Sequence, residues 1–279
     1  MMPHTLTTLA IAATLPPLSL TAAATLRILP LGASVTYGVG SPTGNSYRKP
    51  LLDILTASNH TVHYVGRSRN GNFSNNQVEA TSGFVFSQIA TAAREATPLF
   101  LPNVILIEAG TNDCNRGALL PDLGRQMKGL VQELWGLSPG VTVVVATLGV
   151  NKVEAQDVCR MDVNRQYKSL VEGLAGEGGR VVLADMRSAE GFTVEDLADT
   201  RHPNDGGYAK MAVVWSRGVE EALGKGMVGV PVGFGGSVVM AVGGMSVGGM
   251  SVGGRAALGV VEMWTMLCVG VLCSVMLLV

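Results

Sequence analysis

Charge is scarce in this sequence. Only 15% of its 279 residues are Asp, Glu, Lys or Arg, against roughly 25% in an ordinary soluble domain. The 20 basic and 21 acidic side chains leave a formal net charge of −1. Basic clusters are missing, which argues against a nucleic-acid partner, since phosphates must be neutralised by Lys and Arg. The same lack argues against a polybasic membrane-surface protein. Aromatic residues make up 5%, so any sugar- or base-stacking platform must be small. No group of His, Cys and Asp has metal-ligand spacing and no phosphate-binding loop is present, so neither metal nor cofactor is expected.

The shortage of charge is concentrated at the two ends. Residues 1–26 carry none, and from 226 onward only Arg255 and Glu262 do. The other 39 charged side chains lie in 27–225, about a fifth of that stretch, which is close to ordinary globular density. Residues 25–225 are therefore read as one domain, long enough to bury its own core.

Residues 1–24 are apolar and end in Ala22-Ala23-Ala24, the outline of a secretory signal peptide. Pro16-Pro17 argues against a buried helix there. At the other end, Val242-Gly-Gly-Met-Ser246 repeats as Val247-Gly-Gly-Met-Ser251. Residues 226–255 are read as a glycine-rich linker. Residues 256–279 form an apolar tail. Small residues, a spacer and a terminal apolar run suggest a GPI-attachment signal; a short transmembrane anchor is the rival reading. Membrane contact is expected only through this tail, and the domain itself is expected to be a monomer.

Cys268 and Cys273 fall in the tail, which leaves Cys114 and Cys159. In a secreted domain a disulfide between them is the expectation, with two buried free thiols as the alternative. Asn59-His-Thr61 and Asn72-Phe-Ser74 are glycosylation sequons, consistent with an extracellular protein.

Within the domain, strands and helices alternate. Apolar runs at Arg27–Leu31, Val62–Val65, Val104–Ile107, Val141–Ala146 and Val181–Leu183 read as strands. Helical spacing covers Tyr47–Ala57, Phe86–Ala96 (ended by Pro98), Leu119–Leu137, Val158–Leu174 and Asp205–Leu223. Strands that are apolar throughout are buried on both faces, so the expected class is α/β with a five-stranded parallel sheet between helices. Such sheets bind ligands beyond the carboxyl ends of their strands.

The residues at those ends carry chemistry. Gly32-Ala33-Ser34 comes after the first strand, Gly110-Thr111-Asn112-Asp113 after the central one, and Asp199-Thr-Arg-His202-Pro203 just before the last helix. A serine hydroxyl needs an adjacent base, and the base needs an orienting group. Ser34 can attack, His202 can take its proton, and Asp199 can hold the imidazole. A tetrahedral oxyanion needs donors. The Asn112 amide, the Ser34 N–H and the N–H of Gly83 are the candidates.

Gly-x-Ser, then Gly, Gly-Thr-Asn-Asp and Asp-x-x-His-Pro, in that order, resemble the SGNH (GDSL-type) hydrolases across residues 27–225. The likeness is greatest to family-three carbohydrate esterases, through Tyr47-Arg48, Thr81-Ser-Gly-Phe84, Gly110–Asp113 and the stretch from His202 to Met211. The resemblance implies a three-layer α/β/α sandwich with a flavodoxin-like sheet. It implies catalytic Ser34, Asp199 and His202, and an oxyanion hole of Ser34, Gly83 and Asn112. It further implies a secreted esterase acting on O-acetyl groups of a small-molecule or polysaccharide substrate. A lipid or lysophospholipid esterase and a non-catalytic glycan-binding protein are the alternatives. The family usually has Asp at Ala33, and Gly and Trp at Ala80 and Phe84.

Bland readings suit other residues. His60 in its sequon turn is expected to be solvated, His63 to pack, and Trp135 and Trp215 to fill the core. Asp113 is expected to bond loop N–H groups, Arg48 to pair with a carboxylate under the site. Asp185, after the last strand, is a rival partner for the imidazole, but the three-residue spacing and the family resemblance favour Asp199.

Overall fold

The structure, a computed structural model, describes residues 22–117 and 122–232. Residues 1–21 of the expected signal peptide, 233–255 of the glycine-rich linker and the whole tail lie outside these residues. So does the predicted start of a helix at Leu119.

The chain opens with β1 (Thr25–Gly32), the turn-length α1 (Ser34–Tyr37), α2 (Arg48–Ala57) and β2 (Thr61–Tyr64). Then come β3 (Ser68–Arg69), β4 (Gln77–Ala80), α3 (Phe86–Phe100) and β5 (Val104–Ile107). After these come α4 (Thr111–Asn115), α5 (Leu123–Leu137), β6 (Thr142–Ala146) and α6 (Glu154–Gly176). The domain closes with β7 (Val181–Ala184), a 3₁₀ turn (Val194–Asp196) and α7 (Asp205–Gly224).

The sheet has seven strands, not five, in the order β3-β4-β1-β5-β6-β7, with β2 also paired to β1. β1 pairs with β2 through Thr25–Ile28 and with β4 through Leu31 and Gly32. All ladders are parallel except β3 with β4. The two extra strands are short and lie in a polar stretch rich in Asn and Gly. They carry no apolar run, and tertiary pairing alone makes them strands.

Alternation along the strands divides the core. Leu29, Leu31, Ile105, Ile107, Val143 and Val145 face α3, α5 and α6. Ile28, Val104, Leu106, Val144 and Ala146 face α2 and α7. The result is the expected three-layer α/β/α sandwich. Trp215 is fully buried and lies 5.4 Å from the ring of Tyr47, whereas Trp135 is only half-buried.

Pro98 does not end α3; it sits inside the last turn. Proline there costs one helical hydrogen bond. Leu101, in the left-handed region, closes the helix by donating its N–H to Thr97 O.

Cys114 on α4 and Cys159 on α6 form a disulfide with Cα atoms 5.6 Å apart. The bridge spans 45 residues, which by loop entropy stabilises the fold by up to about 4 kcal/mol. Replacing both cysteines with serine is expected to lower the urea midpoint. An unchanged midpoint would show that the bridge adds nothing to stability.

Candidate active site

Three chain turns meet at the carboxyl edge of the sheet. Ser34 leaves β1 after Gly32 and opens α1. The first residue of a helix has no acceptor within the helix for its N–H, so this N–H is available for a ligand. Ser34 is nearly buried. Its Oγ lies 2.9 Å from His202 Nε2. His202 Nδ1 lies 2.7 Å from Asp199 Oδ2. Thus Ser34, His202 and Asp199 form one hydrogen-bonded chain.

The loop bearing Asp199 and His202 is closed on itself. Ala198 N donates to His202 O at 2.8 Å and Asn204 N to Asp196 O at 2.7 Å. Asn204 then caps α7 by accepting from Gly207 N. Asp199 Oδ1 accepts from the N–H groups of Arg201 and His202 at 2.7 and 2.8 Å. Partial burial alone would raise the Asp199 pKa. The bonds from His202 and Arg201 outweigh it and bring it down to about 2. The carboxylate is therefore ionised throughout the range in which a histidine titrates.

Gly40, not singled out by sequence, supports the histidine. It has a φ of 93°, and a Cβ there would stand 2.5 Å from Pro203 O and 3.1 Å from His202 Cβ. Both the left-handed backbone and the close approach need glycine.

Asn112 sits in α4, behind β5. Its Nδ2 donates to Phe84 O at 2.9 Å, which leaves a second amide hydrogen. Gly83 stands next to Phe84 in the Thr81–Phe84 turn, closed by Phe84 N on Thr81 O. Its φ of 87° is the left-handed value that such a turn favours in glycine. Gly83 O accepts from Arg116 at the end of α4. The Gly83 turn is thereby joined to α4 and its end twice, once through Asn112 and once through Arg116. Ala33, where the resembling family usually has Asp, packs into the core.

Asp113 bonds Phe86 N at 2.9 Å and so ties α4 to the start of α3. Asp185 is engaged elsewhere, by Thr147 Oγ1 at 2.9 Å and Lys168 Nζ at 2.7 Å. Arg48 pairs with no carboxylate among its described contacts. It is fully buried and donates to the carbonyls of Tyr37, Gly44, Asn70 and Asn76. Carbonyls in that loop cluster face inward and must be satisfied there. His60 is not solvated. It is buried, accepts from Ala24 N through Nδ1 and meets Glu220 through Nε2 at 3.0 Å. The turn after α2 folds its ring under α7. His63 is half-buried on β2.

Two buried ionisable residues, Glu108 and Arg160, influence each other electrostatically. Glu108, after β5, accepts from Thr111 Oγ1. Burial raises its pKa, against the pull of Thr111, Arg160 and His202. Arg160 on α6 is 2% exposed. Burial lowers its pKa to about 10, with Glu108 opposing. Sequence reasoning missed Arg160 and Asn115, which looks like a loop residue. The available signal was their position, each directly after a cysteine of the disulfide.

Residues 31–210 match the model of the GDSL-like Lipase/Acylhydrolase family. A multidomain esterase of Ruminococcus flavefaciens is 27% identical over 250 residues, which cover 78% of this chain and 31% of that protein. The chain thus spans about a third of that relative's length. Among solved structures, the Clostridium thermocellum family 3 carbohydrate esterase superposes with a TM-score of 0.64 and 25% identity, covering 74% of this chain and all of that one. A carbohydrate esterase family 3 structure from Talaromyces cellulolyticus shares the fold, with a TM-score of 0.60 and 20% identity over 72% of this chain and 99% of that one. With the family model spanning well over half of the residues, this chain belongs to the GDSL-like lipase/acylhydrolase family, a family of carboxylic ester hydrolases.

Proposed function

We propose that the protein is a secreted serine esterase that removes O-acetyl groups from carbohydrate. The observation that carries this is the hydrogen-bonded chain from Ser34 Oγ through His202 to Asp199. Ser34 Oγ attacks the ester carbonyl while His202 Nε2 takes its proton. Asp199 holds the opposite ring nitrogen and stabilises the imidazolium. The oxyanion accepts from the Ser34 N–H, the Gly83 N–H and the second Asn112 amide hydrogen. His202 returns its proton to the leaving sugar oxygen. It then activates water, which releases acetate from Ser34.

The likeness to family 3 carbohydrate esterases supports the acetyl and sugar assignments. The openness of the site supports a bulky alcohol portion, since half of the Asp199 side chain is exposed. The Cys114–Cys159 bridge supports an oxidising compartment. Asn59 and Asn72 are both exposed, as glycan acceptors must be. Residues 1–24 are assigned to export and 256–279 to cell-surface tethering. The domain acts as a monomer on a small-molecule or polysaccharide ester.

The test is hydrolysis of p-nitrophenyl esters from acetate to octanoate, and then acetate release from acetylated xylan. The expected result is a rate that falls with acyl length, together with acetate release. A rate that rises with length would identify a lipid esterase. Binding of acetylated oligosaccharide without turnover would identify a glycan-binding protein.

A further inference from the structure

Asn112 can serve an oxyanion only with Nδ2 toward the substrate. Rotating the amide by half a turn would place Oδ1 there and repel the developing charge. The two ends of an amide have nearly the same shape, so packing alone does not choose between them. A directional set of hydrogen bonds does.

Arg160 Nη1 donates to Gly149 O at 3.2 Å and Val150 O at 2.9 Å. Its Nη2 donates to Asn115 Oδ1 at 3.2 Å. A guanidinium has donors only, so the Asn115 end that faces it must be the oxygen. Asn151 Nδ2 donates to the same oxygen at 3.4 Å. Asn115 Nδ2 is thereby turned toward Asn112 Oδ1, 3.5 Å away. Asn112 Oδ1 is occupied, and its Nδ2 donates to Phe84 O with one hydrogen and keeps the second. The guanidinium, which cannot accept, sets the direction of the Asn115 amide; Asn115 at one end and the Phe84 carbonyl, which cannot donate, at the other together set that of Asn112.

The disulfide adds a second, covalent observation. It joins Cys114 to Cys159, the residues immediately before Asn115 and Arg160. The bridge therefore fixes the separation of these two side chains at their backbones.

We propose that Arg160 and Asn115 are positioning residues that orient the Asn112 amide toward the oxyanion, with the Cys114–Cys159 bridge holding them in register. This rests on the serine esterase reading and deepens it. Neither residue touches substrate; both act through Asn112.

The test is a double-mutant cycle on the full-length protein with p-nitrophenyl acetate. Asn115→Asp keeps both acceptor contacts but cannot donate to Asn112. It is expected to lower kcat about tenfold with KM within about twofold, less than the 10²–10³ expected from deleting the donor in Asn112→Ala. In the Asn112→Ala background the same change is expected to leave kcat within about twofold, because no amide remains to be oriented. A purely structural role would give equal losses in both backgrounds and would overturn the proposal. So would full kcat in a folded Asn115→Asp protein. If that variant does not fold, the Cys114→Ser/Cys159→Ser protein is tested in both backgrounds and read in the same way. Retained activity in Ser34→Ala would remove the esterase reading itself. Loss in Ser34→Ala with full activity in Asn112→Ala would leave that reading standing and remove this inference.

Discussion

Ser34→Ala is expected to lower kcat by at least about 10⁴-fold while circular dichroism and melting temperature stay near those of the unaltered protein. The Ser34 hydroxyl has one described side-chain partner, His202 Nε2 at 2.9 Å. Removing it deletes the nucleophile, and catalysis then depends on whatever binding and the oxyanion donors supply. Members of such a unit are not additive, so His202→Ala and the double variant are expected to lose about as much as either alone. The fold is insensitive because alanine fits the same volume and the helical turn keeps its backbone bonds, Tyr37 N on Ala33 O and Gly38 N on Ser34 O. Burst kinetics give a direct check. The unaltered protein is expected to release one equivalent of p-nitrophenol ahead of steady state if deacylation is slow, and Ser34→Ala none. Activity within tenfold of the unaltered protein would place the nucleophile elsewhere.

Asp199→Asn is expected to lower kcat by roughly 10³–10⁴-fold, although it changes one atom and keeps the side chain's shape. The reason lies in the backbone. Oδ1 of residue 199 accepts from the N–H groups of Arg201 and His202, so an asparagine must place its oxygen there. Its NH₂ group is then forced to face His202 Nδ1. That nitrogen must become the acceptor, the proton moves to Nε2, and Nε2 can no longer take the proton of Ser34. The folded protein would hold the histidine in the wrong tautomer. Nuclear magnetic resonance of the ring nitrogens distinguishes this from a loss of position. Protonated Nε2 with an intact fold is the expected spectrum, and protonated Nδ1 with full activity would reject the mechanism.

Both effects depend on a contact between residues 168 apart in the chain. Such contacts were legible only in part. The strand-forming runs at 27–31 and 104–107 are apolar but for Arg27, so burial between helices was their expected outcome. That alone placed Ser34 and Asn112 after strands, at the edge where ligands bind. His202 and Asp199 were legible from three-residue spacing and from the family resemblance. β3 and β4 were not, because their residues are polar and their pairing is supplied by β1 and by each other. The partners of Arg48 and the burial of His60 were not legible either. A buried cation can be satisfied equally well by carboxylates or carbonyls, and sequence does not say which is near.

The class of the fold and the candidate positions of Ser34 and Asn112 were thus legible in the sequence, through its apolar runs and the residues directly after them, whereas Gly83, Asp199 and His202 were candidates from local spacing and the family resemblance. Only the tertiary structure decided which way the Asn112 amide is oriented and that Asn115 and Arg160 stand behind it. Hydrogen bonds are directional over about 3 Å, and closeness of that order between distant segments exists only after the helices have packed on the sheet.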